Sequence, residues 1–347
     1  MTLIGMLHHR EDPQKVRRAY AYSAVAKAEG IPFFYFTPGK VNMDDRTING
    51  KIYENGNWQE KKFPFPDVIY NASYPLTDKA EIIVDILSEI IPFTSHSVGD
   101  KSYVNKLIKK GEMFAQYLIP SMDLIDANRF MQMVRHYPKV IMKPVSGNQG
   151  KGIVFIEKEG NDKYRVNEHG DISIYTKQEL VEFTIRKIQE QKYLAQQFIS
   201  CQIKSGQVYD FRLHVQKNGE GKWVITSIYP RIGTVGSIAP NIGSGGYTGY
   251  LDIFLQKEFD DSWYNIKKTL EYFAISFSNH FDSLYDDVSL DELGIDVGID
   301  ENQKLWLFEV NWRPGAPIIF NCELDVARNT IQYAKYLAEN SQRNVKD

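Results

Sequence analysis

Near the end of the chain two apolar runs, Ile295 to Ile299 and Lys304 to Val310, are joined by the polar turn Asp300-Glu301-Asn302. Short apolar runs closed by such a turn predict an antiparallel hairpin. Asp296 falls on one strand, Glu309 and Asn311 at the end of the other, and a rigid Arg313-Pro314-Gly315 follows at once. Side chains two apart on a strand leave the same face. Glu309 and Asn311 therefore share a face, and Asp296 on the partner strand is able to converge with them. Two carboxylates and an amide oxygen are hard ligands that suit Mg²⁺ and leave room for phosphate oxygens. The competing reading is a solvent-facing hairpin with polar alternation. Asn311 interrupting an apolar strand favours a site.

The start of the chain predicts a β-α-β unit: a buried strand over 2–7, a helix over 13–29 with Pro13 in its first turn and Gly30 past its end, and a second strand over 31–36. Such a unit argues for a small parallel sheet. A hairpin is expected over 47–63, where Asn49-Gly50 and Asn55-Gly56 both carry turn signals, and a short strand over 67–70. Further on, a helix is expected over 100–117 with Pro120 ending it, strands over 140–144 and 153–157 around a glycine-rich turn, and an amphipathic helix over 177–191. Strands follow over 193–199, 209–216 and 222–229, then a long glycine-rich loop over 233–249. Helices over 261–281 and 323–340 complete the pattern. The Tyr/Phe stripe within 264–281 has helical spacing and reads as core.

Several residues between these elements carry possible chemistry. Lys143 ends an apolar strand, where a buried ammonium is costly unless an anion meets it. It reads either as a phosphate ligand or as a lysine that snorkels to water. Ser146, Gly147, Asn148, Gln149, Gly150, Lys151 and Gly152 follow. Glycines let backbone N–H groups approach phosphate oxygens, although Walker A spacing is absent. The Tyr193 to Ile199 strand, with Gln196, Gln197, Phe198 and Ile199, reads as an edge strand or as a linker whose exposed backbone meets an adenine edge. Asp210 and Arg212 share one strand face, and Arg231 ends the next strand. The two arginines suit phosphoryl oxygens or structural ion pairs. His8, His9 and Arg10 follow the first strand, as loop residues or as cleft lining.

Composition narrows the classes. The net charge of -3 gives no basic field for nucleic acid. Two cysteines form no disulfide framework and no zinc motif. The opening Met1 to Arg10 turns polar too early for a secretion signal. No uncharged apolar run reaches the roughly 18 residues of a membrane helix. A cytoplasmic protein is expected.

These pieces occur in the order that marks the ATP-grasp superfamily, which the chain resembles over about 100–320. Asp100-Lys101 resembles the dipeptide that opens its nucleotide-binding region, and Lys106 is an alternative first phosphate lysine. Lys143-Pro144 resembles the second phosphate lysine, the loop at 146–152 the mobile lid, and Gln196 to Ile199 the hinge, with Gln196 where a Glu is usual. Asp296, Glu309 and Asn311 resemble the metal-binding set. Gln196-Gln197, Asp210-Phe211-Arg212, Trp223, Arg231, Gly236-Ser237-Ile238, Asn241 and Gly245-Gly246 make the chain most similar to the YheC/YheD group, described as endospore-coat-associated. Ser244 stands where the ribosomal-protein-modifying ligases carry Arg.

The resemblance implies an α/β N-terminal domain over 1–97. An α+β ATP-grasp fold follows, with one lobe over 98–192 and a second over 193–347, sandwiching the nucleotide. It implies ATP and one or two Mg²⁺, with Mn²⁺ able to replace it. Lys101, Lys143, Ser146, Gly147, Gln149, Gly150, Gln196, Gln197, Phe198, Ile199 and Asp210 would bind nucleotide. Asp296, Glu309 and Asn311 would hold metal, and Arg212 and Arg231 would act in catalysis. The implied activity is a ligase that joins a small-molecule or peptide carboxylate to an amine through an acyl phosphate, in association with spore coat proteins. The acceptor site is expected among 8–12, 71–75 and 233–249. Two alternatives remain open: a non-catalytic ATP-binding coat protein, and a small-molecule phosphotransferase.

Overall fold

The computed structural model describes residues 1–145, 152–160, 162–168, 170–240, 242–315 and 322–343. The predicted lid residues Ser146, Gly147, Gln149 and Gly150 lie outside these.

The first sheet forms as the opening residues predict. β1 (Ile4–Leu7) is buried along its whole length, α1 (Arg17–Ala28) buries Ala19, Tyr22 and Ala26, and β2 (Phe33–Phe36) returns parallel to β1. A 3₁₀ turn over Pro13–Lys15 precedes α1, so the helix starts later than expected. β3 (Val41–Asn42), β4 (Thr47–Glu54) and β5 (Asn57–Pro64) add an antiparallel arm. β6 (Val68–Asn71) lies on the other side of β1, α2 (Asp78–Ile90) follows, and β7 (Phe93–Thr94) pairs parallel with β6. Of the two Asn-Gly pairs only Asn55-Gly56 turns the chain, with φ of 52° and 81°, the left-handed pair that a two-residue hairpin turn requires. Gly50 sits inside β4 for a different reason. A Cβ there would lie 2.3 Å from the Phe34 ring.

α3 (Lys101–Lys110) is capped by Asp100, whose side chain accepts the Tyr103 N–H at 2.8 Å. It ends at Gly111 rather than running on to 117, where a separate 3₁₀ turn stands. Its buried face, Val104 and Ile108, joins the core beneath the third sheet described below. The second sheet is built from β8 (Ser121–Leu124), β9 (Lys139–Pro144), β10 (Val154–Glu159), β11 (Lys163–Glu168), β12 (Asp171–Thr176) and β13 (Tyr193–Gln197) in the order β12-β11-β10-β9-β13-β8. α4 (Ala127–His136) and α5 (Lys177–Glu190) cover one face of it. β13 is therefore flanked by β9 and β8, so the exposed-backbone reading of 193–199 is corrected: the strand is interior, and the Gln197 and Phe198 N–H groups are already held by the Pro120 and Lys139 carbonyls.

The third sheet consists of β14 (Tyr209–Lys217), β15 (Trp223–Ile232), β16 (Tyr247–Thr248), β17 (Glu292–Ile299) and β18 (Leu305–Trp312), in the order β16-β15-β14-β17-β18. α6 (Leu251–Phe259) and α7 (Trp263–Asp282) pack on its apolar face. Phe273, Phe277 and Phe281 of α7 are buried, whereas Tyr264 and Tyr272 are exposed, which corrects the reading of the whole aromatic stripe as core. α8 (Cys322–Arg343) crosses back to the first sheet. Its Ala327, Ile331, Ala334 and Ala338 share one core with β1, β2, β6 and α1.

Candidate active site

β14 presents two different faces. Phe211, Leu213 and Val215 are fully buried in the core, while the alternate positions are Asp210, Arg212, His214 and Gln216. A period of two separates an apolar face from a polar one. Register then sets the polar partners. Arg212 stands opposite Tyr229 on β15 and Asp296 on β17, and Asp296 stands opposite Glu309 on β18. A register shift between Asp296 and Val297 marks a bulge beside this row, a common device for re-aiming side chains at sites.

The charges along the row are tightly paired. Arg212 donates from Nε to Asp296 Oδ1 at 2.5 Å and from its terminal nitrogen to Oδ2 at 3.1 Å. Arg231 grips Asp210 at 2.7 and 2.5 Å and reaches Asp296 Oδ2 at 2.9 Å. Asn311 donates to Asp296 at 3.4 Å. Burial alone would lift the Asp296 carboxyl, but Arg212 and Arg231 outweigh it and hold Asp296 below the usual carboxylate range. Asp210 is raised, by burial first and by the neighbouring Asp296 charge, against the pull of Arg231.

Two lysines line the same cavity as this row. Asp100 caps α3, which sets Lys101 at the first helical position, and Lys101 Nζ lies 3.3 Å from Glu309 Oε1. Lys106 sits elsewhere, exposed and 4.0 Å from Asp123. On β9, Val140 and Met142 face the core while Ile141 and Lys143 face the other way. Burial pushes the Lys143 ammonium down to about 8, with Lys101 adding to the effect and Glu309 opposing it.

One cavity of about 470 Å³ gathers these groups. Its lining includes Lys101, Lys143, Gln196, Gln197, Phe198, Ile199, Asp210, Arg212, Arg231, Asp296, Glu309 and Asn311. Thus every described residue expected to bind nucleotide or metal or to act in catalysis borders a common space, whereas the segments 8–12 and 71–75 expected at the acceptor site do not. Residues that sequence reasoning missed supply an apolar floor: Ile119, Ile141, Ile153, Tyr229 and Phe308. Ile141 stands two residues before Lys143, so its signal was present in the strand period. Residues 238–240 and 242 bring part of the glycine-rich loop to the same rim.

The donor set fits a hard divalent cation. No group of three or more His, Cys, Asp or Glu residues is placed to hold a metal among the described residues. The cavity instead offers two carboxylates on neighbouring strands and one amide, an incomplete oxygen set of the kind Mg²⁺ completes with phosphate oxygens and water. Lys101, Arg212 and Arg231 already neutralise those carboxylates, so their ion pairs would have to share or release an oxygen.

With the geometry established, comparison with known proteins gives a consistent picture. The family described as YheC/D like ATP-grasp matches residues 90–337. The endospore coat-associated protein YheD of Bacillus subtilis (strain 168) is 28% identical over 334 residues, covering 88% of this chain and 70% of that protein. D-alanyl-alanine synthetase A from Vibrio cholerae O1 biovar eltor superposes with a TM-score of 0.57 at 13% identity, over 97% of this chain and 98% of that one. The ATP-grasp ligase PsnB, solved with minimal precursor, Mg and ADP, gives a TM-score of 0.55 at 9% identity, over 97% and 98%. Likeness at such identities speaks for the fold.

Proposed function

The chain belongs to the YheC/D like ATP-grasp family, and from that premise we propose that it is an ATP-dependent carboxylate–amine ligase that forms ADP. The observation that carries this reading is the gathering of Lys101 and Lys143 with Asp296, Glu309 and Asn311 around a single cavity. A cavity lined by both ammonium groups and carboxylates suits a polyphosphate accompanied by a cation. Phosphoryl transfer needs positioning and charge stabilisation more than a protein nucleophile.

In this reading Lys101 and Lys143 hold phosphate oxygens. Phe198, Ile199, Ile141 and Phe308 enclose the base. Asp210 holds Arg231, and Asp296 holds Arg212, which keeps both guanidiniums beside the cavity where negative charge would develop. Asp296, Glu309 and Asn311 would hold Mg²⁺, which when bound supplies neutralisation of phosphate charge. A substrate carboxylate accepts the γ-phosphoryl group, an amine then attacks the acyl carbon, and inorganic phosphate leaves. The name of the B. subtilis relative supports, as a further part of the reading, work at the endospore coat.

The test is product analysis with Mg²⁺, ATP and pools of carboxylic acids and amines. The expected result is ADP and phosphate with a product whose mass is acid plus amine less water. A product that has only gained a phosphoryl group makes the chain a phosphotransferase. Nucleotide binding without turnover on any pool makes it a structural ATP-binding protein. Either result contradicts the ligase reading.

A further inference from the structure

No described residue before Lys101 lines the cavity, yet one side chain from the opening α1 reaches the loop that leaves it. Arg18 donates from a terminal nitrogen to the Pro314 carbonyl at 2.7 Å. Pro314 lies between Asn311 and Gly315, which both line the cavity. The chain between them is held under strain. Arg313 has φ of 48°, a left-handed backbone that a non-glycine residue keeps only where its surroundings hold it.

Pro314 is buried, and its ring stands over Gly294 of β17. A Cβ on Gly294 would lie 2.6 Å from Pro314 Cβ and 3.0 Å from Arg212 Nη1. The proline ring and the Arg212 guanidinium therefore share the space above one glycine, where any side chain would displace one of them. Arg212 in turn clasps Asp296 through two hydrogen bonds. Arg18 is itself well anchored. Burial works against its charge, but Tyr70, Tyr22 and Glu292 outweigh it and keep it protonated. Tyr22 and Tyr70 belong to the core of the first sheet, where their rings stack with centroids 4.9 Å apart and Tyr70 donates to the Tyr22 hydroxyl at 3.3 Å. A competing reading makes Arg18 only a counter-charge for Glu292. That carboxylate already bonds to His214 at 2.8 Å, and the group Arg18 touches on the loop is the Pro314 carbonyl.

From this contact and the shared space over Gly294, we infer that Arg18 is a positioning residue: through Pro314 it fixes Arg212 and Asp296 at the cation end of the cavity. The inference rests on the magnesium–nucleotide part of the ligase reading. It adds that α1, from outside the cavity, sets how well the cation is held. Without the Arg18 bond the strained loop relaxes and Pro314 moves off Gly294. Arg212 then gains room to swing, and Asp296 turns with it.

The test measures equilibrium ATP binding with Mg²⁺ and with a chelator for the full chain, as wild type, Arg18→Gln and Arg18→Lys, with urea denaturation of each. Outer-shell partners of a metal site tune its affinity, so in Arg18→Gln the gain in ATP affinity that Mg²⁺ brings is expected to shrink by about fivefold or more. Affinity in chelator is expected to stay within about twofold, because the bond acts on the cation end. Arg18→Lys keeps the charge and one donor for the carbonyl, and is expected to recover most of the gain. A merely structural Arg18 lowers stability while the magnesium gain stays whole, or weakens binding equally with and without Mg²⁺. Either result overturns the inference. If Arg18→Gln does not fold, Pro314→Ala is read in its place, since it keeps the carbonyl and removes only the ring over Gly294. A shrunken gain there supports the inference and a full gain overturns it. No magnesium gain in wild type removes the metal reading and the inference with it, whereas a gain that survives in the variants removes the inference alone.

Discussion

At the residue scale burial sets the state of the cavity's charges alongside their ion pairs. Lys143 illustrates this, since burial has already lowered its affinity for a proton to about 8. Below that pH it is an ammonium and attracts phosphate. Above it the free protein must first take up a proton to bind, so nucleotide affinity is expected to be flat below pH 8 and to fall by up to about tenfold per pH unit above it. Lys143→Met is expected to weaken binding at pH 7 by about 1.5–3 kcal/mol, the usual worth of a hydrogen bond to a charged group, and to flatten the alkaline limb. Equilibrium binding of ATP from pH 6.5 to 9.5 measures both. That Glu309 and Asn311 border one cavity was legible in the sequence because a strand's period of two is unforgiving: the two had to share a face. That Asp296 would be clasped by both Arg212 and Arg231 was not legible. It depends on the pairing of β14 with β15 and β17, and register between distant strands is a tertiary fact.

At the scale of elements, the β17–β18 hairpin is tightly packed on the same face that carries Asp296. A Cβ at Gly298 would lie 2.4 Å from the Phe308 ring and 2.6 Å from Cys201 Sγ, and both of those residues line the cavity. Gly298→Ala is therefore expected to cost about 1–3 kcal/mol through overpacking and to weaken nucleotide binding as the Phe308 ring is displaced at the cavity wall. Urea denaturation and ATP titration of the same variant check the two effects. Elements with clean periods or caps were read correctly, α5 and the hairpin among them. α2 was missed because Ile82, Ile86 and Ile90 point outward and blur its apolar stripe. β12 was missed because it alternates with Ile172 and Ile174 on the exposed side. α6 falls between the loop expected over 233–249 and the helix expected over 261–281, in residues for which no element was expected.

At the scale of the molecule, α8 ties together parts that lie far apart in the chain. Ile331 is fully buried in the core of the first sheet, while the neighbouring Thr330 accepts from Gln216 of β14 at 3.0 Å. The polar face of β14 thus runs from the cavity at Asp210 to the helix that anchors the first domain. Ile331→Ala is expected to cost about 2–5 kcal/mol, and calorimetry should show the first and third sheets melting in one displaced transition. The apolar period of 323–340 foretold the helix, but its docking on β1, β2 and β6 is a contact across about 300 residues that no local pattern records.

Magnesium dependence tests the central claim most directly, because it asks whether Glu309 and its neighbours serve a cation that accompanies the nucleotide. Equilibrium ATP binding should be measured with Mg²⁺ and with a chelator, for wild type and Glu309→Ala. Wild type is predicted to bind at least about tenfold more tightly with Mg²⁺, and Glu309→Ala to lose most of that gain, since a carboxylate–cation contact is worth more than a neutral hydrogen bond. A Glu309→Ala protein that kept the whole magnesium effect would contradict the account.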